Sequence, residues 1–132
     1  MIKKIFSTVI LVAVLIFVGN NSANAQDVYV GNRANGDTVY LMTDSIKKTP
    51  TGYSQQWKMY HYECYMTFKA VDSRNKPFFF GYTISWGPEE IAGYKDSNGN
   101  WYSLEGRNTD PDVYRAKILE RAYEWLDNNG YI

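Results

Sequence analysis

His61 is the only histidine of the chain and Cys64 the only cysteine. A charge-relay triad or a thiolate dyad would therefore have to use one of them. They stand three residues apart in a segment that reads as a strand. An odd offset in a strand sends two side chains to opposite faces, which argues against a Cys64–His61 dyad. Glu63 falls on the His61 side, so His61 with Glu63, or with a distant acid, is the candidate acid–base pair. No G-x-S-x-G nucleophile setting accompanies it, and the plainer reading of His61 is a partly exposed strand residue paired with Glu63 or a neighbour. A structural zinc site needs about four nitrogen or sulfur ligands, and one His and one Cys do not supply them. Asp96-Ser97-Asn98-Gly99-Asn100 begins like a calcium loop. However, Trp101 takes the position that requires glycine and Arg107 the position of the bidentate glutamate. Glu89-Glu90 lies in an expected loop after Gly87-Pro88, and Asp110/Asp112 is explained by helix capping. No phosphate-cradling G-x-x-x-x-G-K loop occurs. No catalytic residue, metal or cofactor is expected.

What remains is a surface, and two segments must build it. From Tyr60 the even positions are Tyr60, Tyr62, Cys64, Met66, Phe68 and Ala70; the odd ones are His61, Glu63, Tyr65, Thr67 and Lys69. That alternation has period 2, with one face buried and one wet. Trp57 and Met59 carry the opposite phase, which predicts a bulge or short break near Met59–Tyr60. After the polar loop Asp72 to Pro77, residues 78–86 alternate as cleanly and should pair antiparallel with 60–70. The odd faces together present His61, Glu63, Tyr65, Lys69 and Phe79 as a candidate binding face. Ordinary cross-strand pairing is the alternative account of the same residues.

The remaining elements follow from local signals. Val28-Tyr29-Val30 and Thr38 to Met42 flank the turn dipeptide Asn35-Gly36. Thr43-Asp44-Ser45 interrupts the second strand, and Lys48 to Gly52 is expected to turn. Ile91 to Lys95 and Trp101 to Leu104 flank a second hairpin signal, Asn98-Gly99. The period then changes to that of a helix, with Asp110 as N-cap and Pro111 at its first position. Tyr114, Ile118, Ala122, Trp125 and Leu126 form its apolar stripe, and Asn128-Asn129-Gly130 ends it. A run of strands followed by one terminal helix gives an α+β fold. The expected architecture is a single antiparallel sheet of five or six strands in a meander, with the C-terminal amphipathic helix on one face.

Residues 1–25 stand apart. Lys3 and Lys4, an apolar run from Ile5 to Val18 and Ala23-Asn24-Ala25 read as a secretory signal peptide cleaved before Gln26. The apolar run is short of the roughly 20 residues of a spanning helix. Residues 26–132 then form one domain, with a periplasmic, cell-surface or secreted destination. The whole chain has 14 basic and 14 acidic residues. Loss of Lys3 and Lys4 leaves 12 basic against 14 acidic, a net charge of −2. That balance excludes the basic footprint of a nucleic-acid binder, and no later segment is apolar enough to span a membrane. Aromatic residues make up 17% of the chain, enough for packing alone to hold a small domain whose lone Cys64 forms no internal disulfide.

The segment Thr38-Val39-Tyr40-Leu41-Met42-Thr43-Asp44-Ser45-Ile46, a turn, a strand expected to carry Trp57, and the terminal amphipathic helix together resemble the surface-adhesin protein E-like domains. These are small exported bacterial proteins. The resemblance spans most of residues 28–128. It implies an antiparallel sheet with a C-terminal helix on one face, and a binding or adhesin-like role toward a protein or another envelope or host macromolecule. The family's helix is tethered by a disulfide, which a chain with Cys64 alone cannot form. The function expected is a non-catalytic exported binding domain. The alternatives are a small envelope enzyme using His61 and Glu63, and an inhibitor or scaffold acting by edge-strand pairing.

Overall fold

The computed structural model describes residues 26–132; the export signal expected over residues 1–25 lies outside them. In chain order the elements are β1 (Asp27–Asn32), β2 (Thr38–Met42), a 3₁₀ turn (Thr43–Ser45), β3 (Lys47–Ser54), β4 (Met59–Val71), β5 (Pro77–Gly87), β6 (Glu90–Lys95), β7 (Trp101–Ser103) and α1 (Val113–Asn128). The strands form one antiparallel sheet in the order β1-β2-β4-β5-β6-β7, with β3 added to β4 in line with β2. The α+β meander with a single terminal helix is the expected architecture.

β4 is the spine because it is long enough to pair twice along one edge. Its Phe68–Val71 end bonds β2, its Met59–Tyr65 end bonds β3, and β5 runs along its other edge from Tyr62 to Val71. Between β2 and β3 the ladder has a gap, and Ser45 fills it. Its hydroxyl accepts from the Thr67 amide at 2.8 Å and donates to the Met42 carbonyl at 2.6 Å. The interruption at Thr43-Asp44-Ser45 is therefore a stitch within one edge, since a buried amide left unpaired would be costly.

Two local readings are corrected. Lys48 to Gly52 is strand, with a register shift at Pro50–Gly52, while the break expected near Met59–Tyr60 is the turn that ends where β4 begins at Met59. Pro50 has no amide to give and suits an outer strand with such a shift. The change of phase at Trp57 marks the β3–β4 turn, where Lys58 has φ 53°; Trp57 is in that turn and not in a strand.

The even-numbered face is the covered one. Cys64, Met66, Phe68 and Ala70 of β4 are fully buried, with Val30, Val39, Leu41, Ile84 and Tyr94 beside them. The helix closes this face with Ala116, Ile118, Leu119, Ala122 and Leu126. Tyr114, expected in the stripe, is exposed, because the buried stripe runs through Leu119 instead; Trp125 is half-buried against the core. Gly31 lets the helix come close. It sits at a β1 bulge with φ 147°, and a Cβ there would lie 3.2 Å from Ile118 Cγ1. Burial pushes the Cys64 thiol up to about 11, against the lowering effect of Lys48.

Both ends of α1 are fixed to the sheet. The N-cap is Asp112, whose carboxylate accepts from the Arg115 amide at 3.1 Å. Asp110, expected to cap, is released for another task. Its side chain is fully buried and takes Arg115 in a fork, from Nε at 2.7 Å and Nη2 at 2.6 Å. It also accepts from the Tyr94 hydroxyl at 2.7 Å, and Asn108 donates to that hydroxyl at 3.2 Å. Burial opposes ionisation of Asp110, but the bonds from Arg115, Tyr94 and the Asp112 amide outweigh it and hold the carboxyl below its ordinary value. At the other end Gly130, with φ 82°, closes a Schellman turn. The Tyr131 amide bonds the Leu126 carbonyl at 3.0 Å and the Gly130 amide the Asp127 carbonyl at 3.3 Å. Lys48 of β3 donates to the Tyr131 carbonyl and lies 4.3 Å from the Tyr62 ring centroid.

The sheet splits at one place. β6 reaches β5 only at Ile84, Ser85 and Gly87. Pro77–Thr83 pairs with β4 on one side and, among the described residues, with no strand on the other.

Phe68→Ala empties the centre of the covered face and is expected to cost about 3–5 kcal/mol in urea unfolding. Asp110→Ala strands Arg115 and Tyr94 and is expected to cost a similar amount, about 3–5 kcal/mol. An acid of depressed pKa stabilises the fold above its unfolded value and loses that contribution as pH falls through its folded value. Asp110 therefore adds stability above roughly pH 4 that fades on further acidification. Urea midpoints between pH 2 and 7 should drop less steeply at the acid end for Asp110→Asn than for the parent chain.

Candidate functional site

The odd-numbered side chains of β4 and β5 point away from α1, and among the described residues no helix covers them. Cross-strand register sets them in rows. Tyr29, Tyr40, Lys69 and Phe79 stand in one row across four strands. Tyr65 stands opposite Thr83, and Glu63 opposite Ser85, which is opposite Gly93. His61, Glu63, Tyr65, Lys69 and Phe79 thus share the open face, as expected, but they form a strip and not a cluster. Eight residues of strand separate His61 from Lys69, about 27 Å at the usual rise.

Each end of the strip has its own electrostatics. At one end Lys69 is ion-paired with Asp27 and its Nζ lies 5.8 Å from the Tyr40 ring centroid. Such a part-exposed pair contributes at most about 1 kcal/mol. At the other end His61 faces two carboxylates, Glu89 of the β5–β6 turn 3.6 Å from Nε2 and Glu90, the first residue of β6, 3.5 Å from Nδ1. The partner expected from sequence, Glu63, is not the one paired with it. Both distances are too long for a good hydrogen bond, and the buried Nδ1 has no hydrogen-bond partner. Cys64 is buried on the opposite face. Among the described residues no group of three His, Cys, Asp or Glu side chains is placed to hold a metal, and no helix is long and apolar enough to cross a membrane.

Three glycines shape the middle of the face. A Cβ on Gly81 would fall 2.1 Å from the Tyr65 hydroxyl, one on Gly87 2.0 Å from His61 Nδ1, and one on Gly93 2.3 Å from Trp101 Cζ2. Tyr65, His61 and Trp101 therefore lie down on the sheet, each ring occupying the place of a missing side chain. Tyr65 keeps 48% and Trp101 45% of its surface in solvent, so a ring face is left outward. Between these two rings the splayed β5 and β6 leave a cleft of about 540 Å³, bordered by Glu63, Thr83, Ser85, Lys95 and Asp96. A second cleft, of about 450 Å³, lies on the helix side of the same split and is bordered by Arg33, Phe78, Phe80, Tyr82, Tyr114 and Arg115.

Trp101, Glu89 and Glu90 were not among the site residues expected from sequence. β7 is three residues long, too short for a period to give Trp101 a side. The signal that could have found the rings is the glycines, which interrupt strands at 81 and 93 and end one at 87. Glycine inside a strand marks a close approach, and all three positions are odd.

Gly81→Ala meets only the mobile end of Tyr65, so the ring should lift while the melting temperature changes little, read from the Tyr65 ring resonances. Gly93→Ala meets the Tyr102 main-chain carbonyl at 2.6 Å as well as the indole, and should destabilise by about 1–3 kcal/mol.

Comparison of the chain with protein-family models, with curated proteins and with solved structures finds no match.

Proposed function

We propose that the chain is a non-catalytic exported binding module that engages a macromolecule of the bacterial envelope or its surroundings through the open face of the sheet. The observation that carries this reading is the row of rings held against glycines on a face that α1 leaves bare. A ring fixed in this way loses little freedom when something packs on it, so more of the contact energy survives as affinity. Phe79, 52% exposed beside Lys69, extends the same surface. An adhesin-like role rests on the sequence resemblance, and export on the segment before Gln26. The enzyme reading would need a nucleophile beside His61. Its buried Nδ1 is unbonded and its two nearest ion-pair partners are carboxylates, an arrangement suited to holding the β5–β6 connection against β4.

Purified protein bound to immobilised envelope macromolecules, sorted into protein and polysaccharide fractions, is the direct test. Tyr65→Ala and Phe79→Ala should each weaken retention about tenfold, the scale of one lost aromatic anchor, while thermal unfolding shifts by no more than a few degrees. Unfolding of both variants would sink the surface assignment. A hydrolytic activity on ester, glycoside or peptidoglycan substrates that disappears in His61→Ala would replace this reading with the enzyme one.

A further inference from the structure

The geometry points to the cleft between Tyr65 and Trp101 as a binding site for a neutral oligosaccharide laid across the strands. The inference rests on the open-face reading above and names the ligand class. Tyr65 on β4 and Trp101 on β7 stand on the same level of the sheet. Tyr65 is paired with Thr83, and Trp101 with Lys95, the residue that follows Tyr94 on its way past Ile84. Three strand spacings, about 14 Å, lie between their main chains, and both rings lean inward, Tyr65 over Gly81 of β5 and Trp101 over Gly93 of β6, which leaves between them the span of two or three sugar rings. Each platform is an aromatic ring pressed to the sheet with a face outward, and the negative face of such a ring attracts the C–H face of a pyranose.

The floor and walls supply the rest. Glu63, Thr83, Ser85, Lys95, Asp96 and Ser97 border the cleft, a mixture of carboxylate, hydroxyl and ammonium groups that matches sugar hydroxyls, which both donate and accept. The volume lies within the usual range for small-molecule sites. Charge decides against the competing ligands. Glu63 and Lys95 balance each other in the cleft, because the Asp96 carboxylate is turned inward to the Asn98 and Asn100 amides, Tyr102 and Arg115, and the domain carries a net charge of −2 after loss of Lys3 and Lys4. A nucleic acid or an acidic peptide would be repelled. A wholly apolar peptide would bury these polar groups without partners.

The test titrates the purified protein with three neutral tetrasaccharides: β-1,4-linked glucose, β-1,4-linked N-acetylglucosamine and α-linked mannose. Calorimetry and tryptophan fluorescence report binding. Saturable sub-millimolar binding of at least one is expected, with at least tenfold loss in Tyr65→Ala and in Trp101→Ala. Trp101→Phe keeps a flat ring and should recover most of the affinity, which separates ring stacking from a folding defect. Trp57→Ala, an equally exposed ring in the β3–β4 turn and outside the cleft, should change tetrasaccharide affinity less than twofold by calorimetry. No saturable binding to any of the three, or binding unchanged in both ring-deletion variants, overturns the inference. If that happens while Tyr65→Ala still loses an envelope protein, the open-face reading stands with a protein as its partner. If the tetrasaccharides fail and Tyr65→Ala also retains every envelope macromolecule, both readings fall.

Discussion

A single helix is about 10 Å across, whereas a sheet six strands wide at the usual spacing is about 24 Å across. One helix cannot roof such a sheet, and the rest of the molecule follows from where it sits. α1 lies toward β1, admitted by Gly31, and the driest part of the core is beneath it: Leu41, Phe68, Met66 and Leu119. Farther across, Phe80, Tyr82 and Trp86 of β5 are only half-covered. Of these, Tyr82 and Trp86 carry a polar handle, the type of ring that tolerates one wet side. The opposite face receives no cover, so its rings must be packed by the sheet itself, and the glycines at 81, 87 and 93 make room for that.

A small domain with no disulfide has to stop such a helix from drifting, and it does so with polar chemistry at the two tips. The Asp110–Arg115–Tyr94 cluster pins the first turn to β6, and the Schellman turn with Lys48 pins the last to β3. Between the pins the contact is mostly aliphatic, with one further directional bond from the Tyr123 hydroxyl to Glu105 at 3.1 Å, so the helix's position along the sheet is set by these hydrogen bonds. A buried carboxylate forked by a guanidinium is weak evidence for net stability over an apolar alternative. Its contribution here is geometric: it decides which turn of α1 meets β6.

The central pair of strands was legible in the sequence because both faces of a period-2 segment are marked at once. Cys64, Met66, Phe68 and Ala70 sort from Glu63, Tyr65, Thr67 and Lys69 without any knowledge of partners. The same sorting placed the five site residues on one face. Legibility failed where one residue had two possible tasks. Asp110 and Asp112 are both good caps, and only the tertiary position of Tyr94 and Arg115 decides between them. Pro50 and Gly52 are turn residues by composition, and pairing with β4 makes them strand. His61 has Glu63 as a same-face neighbour in sequence, but the β5–β6 connection brings Glu89 and Glu90 nearer. Cleft and platforms escaped because they depend on how far β6 peels from β5, a property of two elements that neither sequence segment encodes alone.

The unpaired length of β5 has a consequence of its own. Residues 77–83 read Pro-Phe-Phe-Phe-Gly-Tyr-Thr, with no charge in them, and proteins commonly protect open edges with lysine, a bulge or a covering loop. Arg33 lies over the Phe78 and Phe80 rings here, but among the described residues no strand pairs with the edge, so its main-chain donors and acceptors on that side depend on solvent. Crowding sets that solvation against addition of a foreign backbone, and Phe78 to Thr83, past Pro77, has the composition of a steric-zipper segment. The domain thus carries its colloidal weak point next to the open face of its sheet, and keeping the molecule dilute, or the edge occupied, protects both together.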